Sequence, residues 1–251
     1  MSGHSKWSTI KRKKGAADAK RGAIFTRLAK EIAIAAREGG GDPEVNFKLR
    51  LAVDKAKASN MPKDNIERAI RRGTGEDKDA AIIEEVFYEG YAPHGVALMI
   101  ECLTDNRNRA VADIRHVLNR FGGGMGESGS VAWQFKKVSY FAFSPDELDE
   151  NQVFEIAIEG GADDVIFDPE VTEIIGPVDS FKTISDELKH AGIEIDEAGL
   201  RMMPNQEIDL DIDSIIKVMK VIDALEDLDD VQDVYSNLRI TDDAMAVLEA
   251  G

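Results

Sequence analysis

The chain has 251 residues, 43% of them hydrophobic, with 31 Lys and Arg against 48 Asp and Glu and a net charge of -17. That composition supports a packed core and excludes a membrane protein, and single cores stop growing near ~250 to 300 residues, so more than one domain is expected. One cysteine, Cys102, excludes an internal disulfide framework and any zinc site built from several thiolates, and points to a reducing compartment.

The first twenty residues are basic and poor in acids. They lack the apolar region of a secretory signal and run into a patterned helix, so they are expected to be mature protein. From Ser2 to Lys14 there is no hydrophobic periodicity and too little apolar surface for the segment to order itself. Ile24, Phe25, Leu28, Ile32 and Ala35 then recur at helical spacing, predicting a helix over 16–37 that Gly39, Gly40 and Gly41 end. A second helix over 44–59 carries Val45, Leu49, Ala52 and Ala56 on one side and Phe47 and Leu51 nearly opposite, so it should pack between neighbours. A third, over 62–72, places Pro62 in its first turn and Ile66 and Ile70 four apart. These make a small helical bundle, followed by a polar linker, 73–80.

Strands are expected at 82–91 and 95–103. A helix over 107–121 follows, with the stripe Ala110, Ile114, Val117, Leu118 and Phe121, then a further strand at 130–135. Next come a strand at 138–143, a helix at 150–159, strands at 164–167 and 171–175, a helix at 180–191 and a strand near Leu200, the βαββαβ order of a ferredoxin-like unit. A helix through Ile215, Ile216, Met219, Ile222 and Leu225 and a strand at 231–235 would complete the earlier sheet. The expected class is therefore α+β multidomain, a helical bundle followed by two ferredoxin-like α/β domains, one inserted in the other. Its boundaries are 1–80, then 81–136 with 203–251, with 137–202 as the insert.

The total charge hides its distribution. Residues 1–72 hold 18 Lys and Arg and 8 Asp and Glu, net +10, whereas residues 73–251 hold 13 and 40, net -27. Clustered cations bind phosphate backbones by releasing condensed counterions, so the basic end is the candidate nucleic-acid interface. Lys6 and the cluster Lys11, Arg12, Lys13 and Lys14 lie in the arm. Lys20, Arg21, Arg27, Lys30 and Arg37 belong to the first helix, where Lys20, Arg27, Lys30 and Arg37 share one side. Trp7 fits either stacking on a base or anchoring the arm. Arg71 and Arg72 are explained by complementing a helix C-terminus. Arg107 and Arg109, in LTDNRNRA, sit where a helix dipole disfavours cations, which suggests a second polyanion contact; Asp105-Asn106 before them reads as helix capping.

Other motifs carry less chemistry. FGGGMGESG (121–129) follows a helix and lacks a Walker ending, so it reads as a helix stop and a mobile connection. Asp209, Asp211 and Asp213 lack the glycine and closing glutamate of a calcium loop; Ile208, Leu210 and Ile212 suggest a short strand, with Asp213 capping the next helix. His4, His94, His116 and His190 are scattered, Cys102 reads as a core filler, and Asp163-Asp164 and Asp229-Asp230 read as solvated charge. No enzyme, cofactor, metal, membrane or small-molecule substrate is expected. The remaining alternative is a scaffold whose acidic face binds a basic protein.

GHSKW (3–7), DAKRGAIFTRLAKEI (18–32), GGGDP (39–43), NMPKDNIERAI (60–70), YEGYAPHG (88–95), IECLTDNRNR (100–109) and SGSVAWQF (128–135) together closely resemble the YebC/PmpR family. His94 stands where many relatives have Gly. The resemblance implies three domains around a negatively charged central cleft, and a cytoplasmic role in gene expression. Relatives are described as DNA-binding transcriptional regulators. Mitochondrial relatives resemble translational activators, and bacterial ones are linked to ribosomes stalled on proline-rich stretches, so the implied partner is DNA, or ribosomal or transfer RNA. Nothing in the sequence marks a recognition helix with base-reading side chains.

Overall fold

A computed structural model of the chain describes residues 18–77, 80–145 and 148–250, with side chains from 22 to 248. Helix α1 (Asp18–Gly39) turns Leu28, Ile32, Ala35 and Ala36 toward α2 (Phe47–Ala58) and α3 (Lys63–Thr74), where they pack on Leu49, Ala52, Val53, Ala56, Ile66 and Ala69. A second apolar side of α1, Ala33 and Ile34, meets Ile83 and Leu103 of the body. Ile24, expected in the stripe, is 38% exposed.

Helix α2 starts later than its apolar pattern suggests. Asn46 is the N-cap, its Oδ1 accepting from the Leu49 N–H at 3.1 Å, while Val45 lies outside the helix and is 81% exposed. The Asn46 amide also donates to the carbonyls of Ala35 and Gly40, so one side chain ties the end of α1 to the start of α2. The second apolar side of α2 is real: Phe47 meets Phe181 edge-on at 5.6 Å, and Phe181 stacks on Phe141 at 4.9 Å. Gly73 belongs to α3 rather than to a linker. A Cβ there would lie 2.2 Å from the Ala33 carbonyl oxygen, so glycine permits the close approach of α1 and α3.

The first sheet has the order β3-β1-β2-β8, built from β1 (Glu84–Tyr91), β2 (Ala97–Thr104), β3 (Gly124–Met125) and β8 (Val231–Ser236), all neighbours antiparallel. Helices α4 (Arg107–Arg120), α7 (Ile212–Glu226) and α8 (Asp242–Ala250) cover one face. There Leu98, Ile100 and Cys102 pack on Ile114, Leu118, Ile215, Met219 and Ile222. The second sheet, β5-β6-β4-β7, comprises β4 (Phe135–Phe143), β5 (Asp164–Phe167), β6 (Thr172–Gly176) and β7 (Glu197–Pro204). Its helices α5 (Glu150–Glu159) and α6 (Phe181–His190) close a core of Phe141, Phe143, Val153, Ala157, Ile174, Ile184 and Leu188.

The chain thus forms β1 to β3, builds the second sheet, and returns to the first at β8. The second sheet has the βαββαβ element order; the first opens with a hairpin and does not. Residues 130–135 are not a strand. They form a turn and a short 3-10 helix (Ala132–Gln134), and β4 begins only at Phe135. The glycine-rich loop contributes β3, because Gly90 and Tyr91 pair with Met125 and Gly124. Ile208 and Leu238 form an isolated bridge rather than a strand, and Asp211, not Asp213, caps α7 by accepting from the Ser214 N–H at 3.0 Å.

Candidate nucleic-acid interface

The arm residues Lys6, Trp7, Lys11, Arg12, Lys13 and Lys14 lie outside the described residues, as do the side chains of Lys20 and Arg21. The remaining candidates on α1 do not form one open cationic edge. Arg27 is half-buried, its Nε enclosed and without a hydrogen-bond partner among the described residues. Lys30 is buried, its Nζ donating to Asp230 Oδ1 at 2.7 Å and to the Asp229 carbonyl at 2.8 Å. Arg37 donates to the Ile83 carbonyl. These side chains face the body because the Ala33 and Ile34 side of α1 does.

Arg107 and Arg109 are also held within the molecule. Arg107 Nε donates to Glu84 at 2.6 Å, and Arg109 donates to both oxygens of Asp230, at 2.7 and 2.8 Å, and to Asp105 at 3.0 Å. Arg72 reaches Asp105 from α3 at 3.3 Å. A chain of alternating charge, Arg72, Asp105, Arg109, Asp230 and Lys30, therefore bolts the bundle to the first sheet. It explains the cations at the start of α4: paired carboxylates offset the unfavourable dipole. Asp230, read from sequence as solvated, is 5% exposed. Burial pulls its carboxyl upward, but Arg109 and Lys30 outweigh that and hold it below its ordinary range. For Asp105 burial is likewise outweighed by Arg109 and Arg72.

Two cations of α3 remain available, Arg68, which the sequence did not single out, and Arg71, read there as complementing the helix C-terminus. Arg68 and Arg71 are exposed, three residues apart on α3, and make no ion pair with any described residue. The signal was their spacing, which puts them on one face opposite Ile66 and Ala69.

Between the bundle and the two sheets lies a cavity of about 460 Å³. Glu31 and Lys55 of the bundle, Glu85, Glu101, Asp233 and Tyr235 of the first sheet, and Glu197 and Arg201 of the second line it. Glu101 and Asp233 are cross-strand partners, and Tyr235 donates to Glu101 at 2.9 Å. Burial, with Asp233 adding, pushes the Glu101 carboxyl up to about 8; burial, with Glu197 and Glu226 adding, pushes Asp233 up to about 6. Glu31 holds the Lys55 ammonium above its ordinary range, and the Arg201 guanidinium stacks 3.8 Å over Tyr140. Among the described residues no group of three or more His, Cys, Asp or Glu side chains is placed to hold a metal ion. Burial pushes the Cys102 thiol up to about 12, so it is a core residue and no ready nucleophile.

Two family models match this chain: the TACO1/YebC protein N-terminal domain over residues 5–76, and the TACO1/YebC second and third domain over 83–238. The chain belongs to the TACO1/YebC family. Similar TACO1/YebC chains carry the name probable transcriptional regulatory protein. One from Chlorobaculum tepidum is 49% identical over 250 residues, 99% of each chain, and one from Rubrobacter xylanophilus is 51% identical over 246 residues, 98% of each. The crystal structure of a conserved hypothetical protein from Aquifex aeolicus superposes with a TM-score of 0.82 at 42% identity. It covers 90% of this TACO1/YebC chain and 93% of its own. No described helix is long and apolar enough to cross a membrane.

Proposed function

We propose that the chain is a non-enzymatic, cytoplasmic regulator of gene expression that grips a nucleic-acid backbone with its basic arm and bundle. DNA is the first reading of its target. The observation that carries it is the charge division, net +10 over residues 1–72 against net -27 over the rest, joined to relatives named as transcriptional regulators. The contact set narrows to Lys6, Trp7, Lys11 to Lys14, Lys20 and Arg21, with Arg68 and Arg71 added and Arg27 left out because its side chain faces the body. Lys30 and Arg109 act instead in the bolt that orients the bundle, and Arg107 pairs with Glu84 at the edge of the first sheet. We read the domains as 1–80, 81–136 with 203–251, and an inserted ferredoxin-like unit, 137–202, in keeping with the return of the chain to the first sheet at β8.

A second reading, binding to ribosomal or transfer RNA on a stalled ribosome, is favoured by one observation. The arginines at the start of α4 are engaged with Glu84, Asp105 and Asp230, so the first turn of that helix does not present free base-reading arginines. Backbone binding without base readout suits structured RNA as well as duplex DNA. Crosslinking in cells followed by sequencing of the bound nucleic acid separates the two. Recovery of promoter DNA supports the first reading and of ribosomal or transfer RNA the second; recovery of neither contradicts both.

A further inference from the structure

Trp133 has 72% of its surface open, and it is the largest of the exposed apolar side chains among the described residues. Its mounting is tightly built. The Glu89 carboxylate accepts the backbone N–H groups of Gly129, Val131 and Ala132 at 2.6, 2.5 and 2.9 Å. The Ser130 carbonyl accepts both the Tyr91 hydroxyl and the Trp133 indole N–H, at 3.1 and 3.0 Å, and Asn205 donates to the Trp133 carbonyl at 3.0 Å. Val131 and Phe135 on either side are buried with Ala97 and Met99 on the face of the first sheet away from α4 and α7. The short 3-10 helix is thus fastened to the sheet, and the indole projects with its one donor already satisfied. Only its π faces are left to offer a partner.

Charge selects that partner. Trp133 stands on the part of the chain where 40 acids face 13 bases, and Glu127, exposed on the same loop, is the only charged residue between Phe121 and Phe135. Lys136 alternates away with Val138 and Tyr140 toward the second sheet's other face. A nucleic acid would bring phosphates against this acidic part of the chain, whereas a guanidinium is attracted both by the indole face and by the exposed Glu127 carboxylate of the same loop. We propose that Trp133 anchors a second docking surface, separate from the nucleic-acid end, for an arginine-bearing segment of a basic protein. A rigid aromatic with its N–H satisfied loses little conformational freedom on binding, as interface anchors require.

The full-length Trp7→Phe protein leaves Trp133 as the only indole, since the sequence has two. Titration with an oligoarginine peptide at low salt should give a saturable change in its emission, with weaker binding of oligolysine. By calorimetric titration, which needs no indole, Trp133→Ala should bind oligoarginine about two- to fivefold more weakly, and Trp133→Phe, which keeps a π face, should recover most of the loss. Equal affinity for the wild type and Trp133→Ala would overturn the proposal. So would emission that ignores the peptide and is quenched by oligouridylate, which would make the ring a base-stacking platform.

Discussion

Asp230 accepts from Lys30 and Arg109 at once, so neutralising it leaves two cations facing an amide. Breaking a fully buried pair costs about 3 to 5 kcal/mol. The Arg109 side chain is 47% exposed, so Asp230→Asn should cost less, about 2 kcal/mol, read as a lowered urea midpoint. An unchanged midpoint would mean that the bolt is screened by water. Because Asp105 and Asp230 are held below their ordinary range, their stabilisation is present above the ordinary carboxylate range and is lost as pH falls through their folded values. Glu101 acts in the opposite sense. Its carboxyl rises from 4.5 to about 8, so the folded state binds the proton more tightly and stability falls as pH climbs between those values. Glu101→Gln should raise the melting temperature at pH 8 and flatten that slope, and an unaltered slope would contradict the assignment. Residue partners of this kind were not legible in sequence: Asp230 and Asp229 are neighbours of the same type, and only the fold buries one of them.

Among the elements, those with a long apolar stripe were readable to within a few residues, α1 and α4 included, because their buried side chains repeat over three turns or more. Short or locally determined pieces were not. Helix α8 buries Ala244 and Met245 yet spans nine residues, too few to establish a period, and it was not expected. Residues 130–135 have a strand's alphabet, but Glu89 captures three of the local N–H groups and turns the backbone instead. Asn46 makes an element-scale prediction. Asn46→Ala removes the α2 cap and two donations to the end of α1, and should cost about 2 kcal/mol by denaturant titration. A loss below about 0.5 kcal/mol would show that water replaces the amide there.

For the whole molecule, the division of charge was legible by counting, but its division of labour was not. Counting placed Lys30, Arg107 and Arg109 with the phosphate ligands, whereas the fold engages them with Asp230, Glu84 and Asp105. What remains is a basic end joined through Lys30, Asp230 and Arg109 to an acidic body, whose charge would repel phosphate. On the proposed function the cations of the arm and bundle hold the phosphate backbone, so nucleic-acid affinity should fall steeply with salt. With Lys11, Arg12, Lys13 and Lys14 changed to Glu in the full chain, affinity for duplex DNA and for structured RNA should collapse. Any residual binding should show a log-log salt slope shallower by about 3 to 4, since each lost phosphate contact removes roughly 0.9 on duplex DNA. An affinity and a slope equal to those of the unaltered protein would contradict the account.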